Sequence, residues 1–276
     1  MRRSLTALFV TGFLSLQLFA GASYARQDEG VYDNFARALR EPAKVRRLAL
    51  QGEETAGLKQ MPPGLGSLVN LEGLELACME QLTALPEEIG KLSKLRELII
   101  DNGNGCSMNV ALPRSIGRLS SLRVLRLYGA LDARDLGAPA RKVSTKPLPD
   151  TLGELQQLEE LDLGRNGIAS LPPMVASLRG LKKLSLDYND IHELPAFVGD
   201  LPHLEELSIN ANGGVRLPPS LAKLKGLKVF MGNNRLTLTA QKQLRARFPG
   251  ATFSFENEFD DDAANQEAPK PRRKGR

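Results

Sequence analysis

Cys78 and Cys106 are the only cysteines in the 276 residues, and His192 and His203 the only histidines. Thiolates and imidazoles are the usual nucleophiles, bases and transition-metal ligands. Two of each leave no four-thiolate zinc site. His192-Glu193 lacks the second histidine that a zincin helix uses. Both histidines lie far along the chain from either cysteine, which argues against a thiol–imidazole nucleophile. No Gly-rich run ends in Lys-Ser or Lys-Thr, as a phosphate-cradling loop does. Acidic residues are plentiful, but they recur along the chain instead of converging. The expectation is a chain that is not an enzyme and takes no metal or cofactor.

The elements that position these residues are repeats. Leu accounts for 48 residues. Residues 158–180, 181–203 and 204–226 align without gaps at a 23-residue period. Apolar residues recur at positions 1, 4, 6, 14, 18 and 21, Pro at 15, and Asn at 9 as Asn166, Asn189 and Asn212. Apolar residues at 4 and 6 alternate with 3, 5 and 7, so each copy opens with a short strand. Pro at 15 turns the chain away from the sheet, and positions 16–23 return as a short helix or 3₁₀ segment. Asn at 9 is expected to bond open backbone at the turn, a structural and not a binding role. Recurrent Pro and a period other than seven exclude a coiled coil.

This pattern resembles the leucine-rich repeat family in its 23-residue Leu-Pro form. Looser copies open at Val45, Leu71, Leu95 and Leu122, and an eighth at Leu227 and Phe230. The resemblance implies an α/β solenoid, a horseshoe with a parallel sheet on its concave face and helical or 3₁₀ returns on its convex face. It also implies recognition of a protein or peptide, bacterial export and no catalysis.

The ends read differently. Met1 to Ala25 has a basic start, an apolar core and a small-residue ending, the form of a secretory signal peptide cleaved after Ala25. Residues 26–44 form an N-terminal helical cap, with Tyr32, Phe35, Ala36 and Leu39 on one face before Pro42. Residues 45–256 form the repeat domain, closed by a helix that Thr239 caps and a last edge strand from Ala251 to Phe255. Residues 257–276 form a disordered charged tail. Without the first 25 residues the chain has 35 Lys and Arg against 32 Asp and Glu. So small and scattered a charge is no footprint for nucleic acid. No internal apolar run is long enough to span a bilayer. A monomer is expected.

Departures from the period mark loops. A polar run follows Asp101, and copy four carries an insert from Gly129 to Lys146 that could bind a partner. Cys78 follows the second repeat strand and Cys106 the third, so adjacent copies bring them near one another. In an exported chain that pair suits a disulfide. A buried Cys78 beside a free Cys106 is the alternative.

Outward strand positions give the candidate site: Glu75, Glu97, Asp101, Arg126, Tyr128, Glu160, Asp162, Lys183, Asp187, Glu206, Ser208 and Asn210, with Arg47 and Ser185 in the same rows. Acids outnumber bases there seven to three. Arg126 and Tyr128 stand out, because Arg and Tyr are enriched among residues that dominate binding energy. A glycan or cell-wall ligand would call for aromatics on these strands, and only Tyr128 qualifies. An intracellular scaffold is the reading if the first 25 residues do not direct export.

Overall fold

The computed structural model describes residues 29–51, 57–102, 106, 109–131 and 147–255. The expected signal peptide, most of the copy-four insert and the charged tail lie outside the described residues.

Ten strands form one parallel sheet in chain order: β1 (Val31–Tyr32), β2 (Arg47–Gln51), β3 (Gly73–Ala77), β4 (Glu97–Asp101), β5 (Val124–Arg126), β6 (Glu160–Asp162), β7 (Lys183–Ser185), β8 (Glu206–Ser208), β9 (Lys228–Phe230) and β10 (Thr252–Ser254). At one strand every ~4.8 Å the sheet runs about 43 Å. The register matches repeat positions. Leu48, Leu74, Leu98, Leu125, Leu161, Leu184, Leu207, Val229 and Phe253 align strand to strand as position 4. All nine are buried in one continuous core.

Every described return is a 3₁₀ turn. Six of them, beginning at Glu87, Arg114, Asp150, Pro173, Ala196 and Pro219, follow a proline whose φ lies between −62° and −76°. Proline already holds the φ that such a turn needs and gives up no bonded N–H there. Neighbouring returns pack closely enough to demand glycine. A Cβ on Gly199 would stand 2.3 Å from the Ser220 carbonyl carbon, and one on Gly117 2.5 Å from the Thr151 oxygen.

The position-9 asparagines link the copies. Asn189 Oδ1 accepts from the amides of Asn166 and Ile168, each at 3.0 Å, while its Nδ2 donates to Leu163 O at 3.0 Å. Asn212 Nδ2 donates to Leu186 O, and Asn234 Nδ2 to Ile209 O. All four asparagines of this ladder are buried, so each satisfies backbone groups that water cannot reach.

Both ends correct the sequence reading. Tyr32 belongs to β1, not to a helix, and α1 (Phe35–Ala38) is a single turn capped by Asn34. Its buried face is Phe35 and Ala38, while Ala36 is exposed. Pairing Val31 and Tyr32 with β2 covers the sheet's first edge directly, so a longer helix is not required. At the other end α2 (Leu238–Arg247) is capped by Thr237, whose Oγ1 accepts from Ala240 N at 3.2 Å, and not by Thr239. The eighth copy is also shifted. Val229 and Met231 point inward, and Phe230 occupies outward position 5.

Candidate partner-binding face

Outward residues of a parallel solenoid sheet form rows across the strands. The first row, position 3, is a line of ion pairs. Arg47 reaches Glu97 at 2.6 Å across Gly73, whose missing side chain clears the path. Lys183 and Lys228 both approach Glu206 at 3.4 Å. Glu160 of this row takes Arg126 from the second row at 2.5 Å, and both side chains are only 13% exposed. Arg126 therefore braces β5 against β6 as well as facing the concavity.

The second and third rows, positions 5 and 7, hold the other acids. Asp162 accepts from Gly164 N at 2.8 Å and from the Ser185 hydroxyl. Burial, reinforced by Asp187, pushes its carboxyl up to about 6, against the opposing pull of those hydrogen bonds and Arg126. Burial likewise raises Glu75, with Asp101 and Glu97 adding to the shift and Arg47 opposing it. Asp187 accepts from Ser208 Oγ at 2.7 Å, from Asn210 N at 2.7 Å and from Asn210 Nδ2 at 3.1 Å. Asn210 Oδ1 in turn accepts from Gly232 N at 2.6 Å.

Tyr128 follows β5 and lies across Gly164 of the next copy. A Cβ at Gly164 would meet Tyr128 Cδ2 at 2.8 Å. Burial raises the Tyr128 hydroxyl, with Asp162, Asp187 and Asp101 acting in the same direction and Arg165 against them.

Two outward serines are not surface groups. Ser185 and Ser208 are 4% and 3% exposed, and each donates to an aspartate of the preceding copy. Their carboxylate partners, not they, meet the concavity. Phe230 is the residue that sequence reading missed. It is half-buried on the face, aligned with Ser208 on one side and Ser254 on the other. Counting back from Asn234 as position 9 places Phe230 at position 5; reading forward from Leu227 does not.

Cys78 and Cys106 form a disulfide with 5.4 Å between Cα atoms, and neither described cysteine is free. Cys78 stands just past β3 at φ 50°, and its amide donates to Asp101 O at 3.1 Å. The bridge thus ties the rim of the sheet beside Asp101. Among the described residues no helix is long and apolar enough to cross a membrane.

A family model described as a leucine-rich repeat region matches residues 134–230. Among solved structures, an internalin from Listeria monocytogenes aligns over 79% of this chain and 56% of its own, at 20% identity and TM-score 0.53. This chain therefore spans little more than half of that internalin's length. A leucine-rich repeat protein of Leptospira interrogans aligns over 82% of this chain and 99% of its own, at 19% identity and TM-score 0.29. The ectodomain of a membrane receptor kinase from Arabidopsis thaliana aligns over 82% and 31%, at 21% identity and TM-score 0.45. No curated protein sequence matches. The repeat spacing, the ten-stranded parallel sheet and the family match together make this chain a member of the leucine-rich repeat family.

Proposed function

We propose that the chain is an exported, non-catalytic recognition module that binds a protein or peptide on its concave sheet. The observation that carries this is the composition of the outward rows. They set Tyr128 and Phe230 among Arg126, Glu75, Asp101, Asp162, Asp187 and Asn210 on a rigid frame of parallel strands. Large aromatic and Arg side chains with fixed polar neighbours suit recognition, because little conformational entropy is lost on docking. The Cys78–Cys106 disulfide supports export, since such bonds persist in oxidising compartments.

Face-specific cross-linking tests the proposal. A photoreactive residue replaces Ile99 on the concave face or Lys223 on a convex return, in the cells that make the protein. Adducts from position 99 and not from position 223 are expected. Adducts from position 223 alone overturn the concave assignment.

Phe230 gives a second reading some footing. With Tyr128 it supplies two concave aromatics, the requirement for glycan binding that Tyr128 alone left unmet. Saturation transfer from Tyr128 and Phe230 to a neutral oligosaccharide in NMR would favour that reading over a peptide.

A further inference from the structure

The charge on the concave face is unevenly placed. The position-3 bases are matched along their own row, where Arg47 meets Glu97 and both Lys183 and Lys228 meet Glu206. From β3 to β7, positions 5 and 7 carry Glu75, Asp101, Asp162 and Asp187 against Arg126, with Arg165 at the adjoining rim. Arg126 is in addition the partner of Glu160.

The hydrogen bonds at two of these acids do not neutralise them. Asp162 is held by a backbone amide and a serine hydroxyl, and Asp187 receives a serine hydroxyl and two asparagine N–H groups. Those donors orient the carboxylates and leave the excess of negative charge on the face. Glu75 and Asp162 are both pushed up despite Arg47 and Arg126, and neighbouring acids contribute to each shift. Like charges held this close in a partly desolvated sheet are relieved by an added cation. Tyr128 stands in the middle of the group, on the strand between the Asp101 and Asp162 strands, and an aromatic ring attracts a cationic head.

Resting on the concave-face reading above, we propose that the stretch from β3 to β7 seats an extended, Lys- and Arg-rich segment of a partner protein, with one cationic head on Tyr128 between Asp101 and Asp187. The span is four strand spacings, about 19 Å, which about six residues of extended chain cover. A basic segment matches this stretch in charge and in length. An acidic one meets repulsion from four carboxylates.

The test uses the full chain and fluorescently labelled ten-residue peptides, alternating Lys and Ala, Glu and Ala, or Ser and Ala. Anisotropy is read at two salt concentrations, and circular dichroism checks each variant's fold. The Lys peptide is expected to bind, more weakly at higher salt, and the Glu peptide to show no binding. Glu75→Gln combined with Asp101→Asn is expected to lower Lys-peptide affinity about tenfold, and Tyr128→Leu about threefold or more. Glu154→Gln, on an exposed convex return, is expected to leave it unchanged.

Equal binding of the Lys and Glu peptides overturns the proposal. So does an equal loss from Glu154→Gln, or binding of a neutral oligosaccharide with none of the Lys peptide. The cross-linking experiment separates the two levels. Concave adducts without Lys-peptide binding reject the basic partner and keep the concave face; convex adducts alone reject both.

Discussion

The ring of Tyr128 rests on Gly164, the residue at the matching outward position of the next copy, and any Cβ there would stand 2.8 Å from its Cδ2. The glycine is therefore part of the recognition surface, although it offers no side chain to a partner. Gly164→Ala should tilt the ring instead of breaking the strand, since the contact is with a side chain that has room to turn. The expected result is a stability change within about 1 kcal/mol and a loss of partner affinity similar to that of Tyr128→Ala. Thermal melts paired with binding measurements on both variants check this. A large melting shift for Gly164→Ala would assign the glycine to packing alone.

On the convex side the constraint is harder. A Cβ on Gly199 meets backbone, the Ser220 carbonyl carbon at 2.3 Å, and backbone of a packed return cannot rotate away. Gly199→Ala should cost about 2–4 kcal/mol, at or above the usual overpacking range. Ala222→Gly at the equivalent position of the last return should cost about 1 kcal/mol or less. Denaturant midpoints distinguish the two, and equal effects would show that the returns slide apart freely.

Asp162 predicts a pH dependence of stability. Its carboxyl is pushed from 3.8 to about 6 in the fold, chiefly by burial. Between those values the folded state binds more protons than the unfolded state, so this group makes stability fall as pH rises through the window. The cost is fully present above pH 6 and absent below about pH 4. Asn at this position still accepts from Gly164 N. Asp162→Asn should therefore gain about 1–3 kcal/mol at pH 8 and little at pH 4. Urea unfolding at the two pH values measures it; a gain of equal size at both would place the strain elsewhere than in the charge. An acid kept at such a cost is a functional candidate in its own right.

The repeat architecture was legible because each of its rules is local and repeated. The spacing of Leu161, Leu163 and Leu171, with Pro172 and Asn166, recurs in the next two copies and fixes strand, turn and return. Legibility failed where repetition stops. Nothing before Val45 shares the period, so the pairing of Tyr32 with β2 rests on covering a sheet edge and not on any pattern. The missing residue in the last copy moved Phe230 from the expected core to the face. Within the face, alternation gave direction but not burial. It put Ser185 and Ser208 outward, whereas aspartates of the preceding copy cover both.

The Cys78–Cys106 bond closes a loop 28 residues long beside Asp101. In the chain-entropy account a loop of that length contributes about 3–4 kcal/mol. Replacing both cysteines by Ser should lower stability by about that amount and weaken any ligand that touches Asp101. Thiol labelling of the native protein, unfolded without reductant, should find no free cysteine. Two labelled thiols would show that packing alone holds the rim.

Ser185 and Leu186 are neighbours that test inward and outward roles on one strand. Leu186 is buried in the core, and its truncation to Ala removes apolar contacts and leaves a cavity, for about 2–5 kcal/mol. Alternation alone makes Ser185→Ala nearly silent. The structure makes it costly, because Ser185 is 4% exposed and its hydroxyl donates to Asp162. Losing a donor to a buried carboxylate costs about 1–3 kcal/mol. The loss should also push the Asp162 carboxyl further up. The cost is therefore expected at pH 8, where the carboxylate is charged, and largely gone at pH 4. In an Asp162→Asn background the same substitution should cost less, since a neutral amide depends less on that bond. A double-mutant cycle at both pH values measures the coupling. Strict additivity at pH 8 would show that Ser185 packs beside Asp162 without supporting its charge.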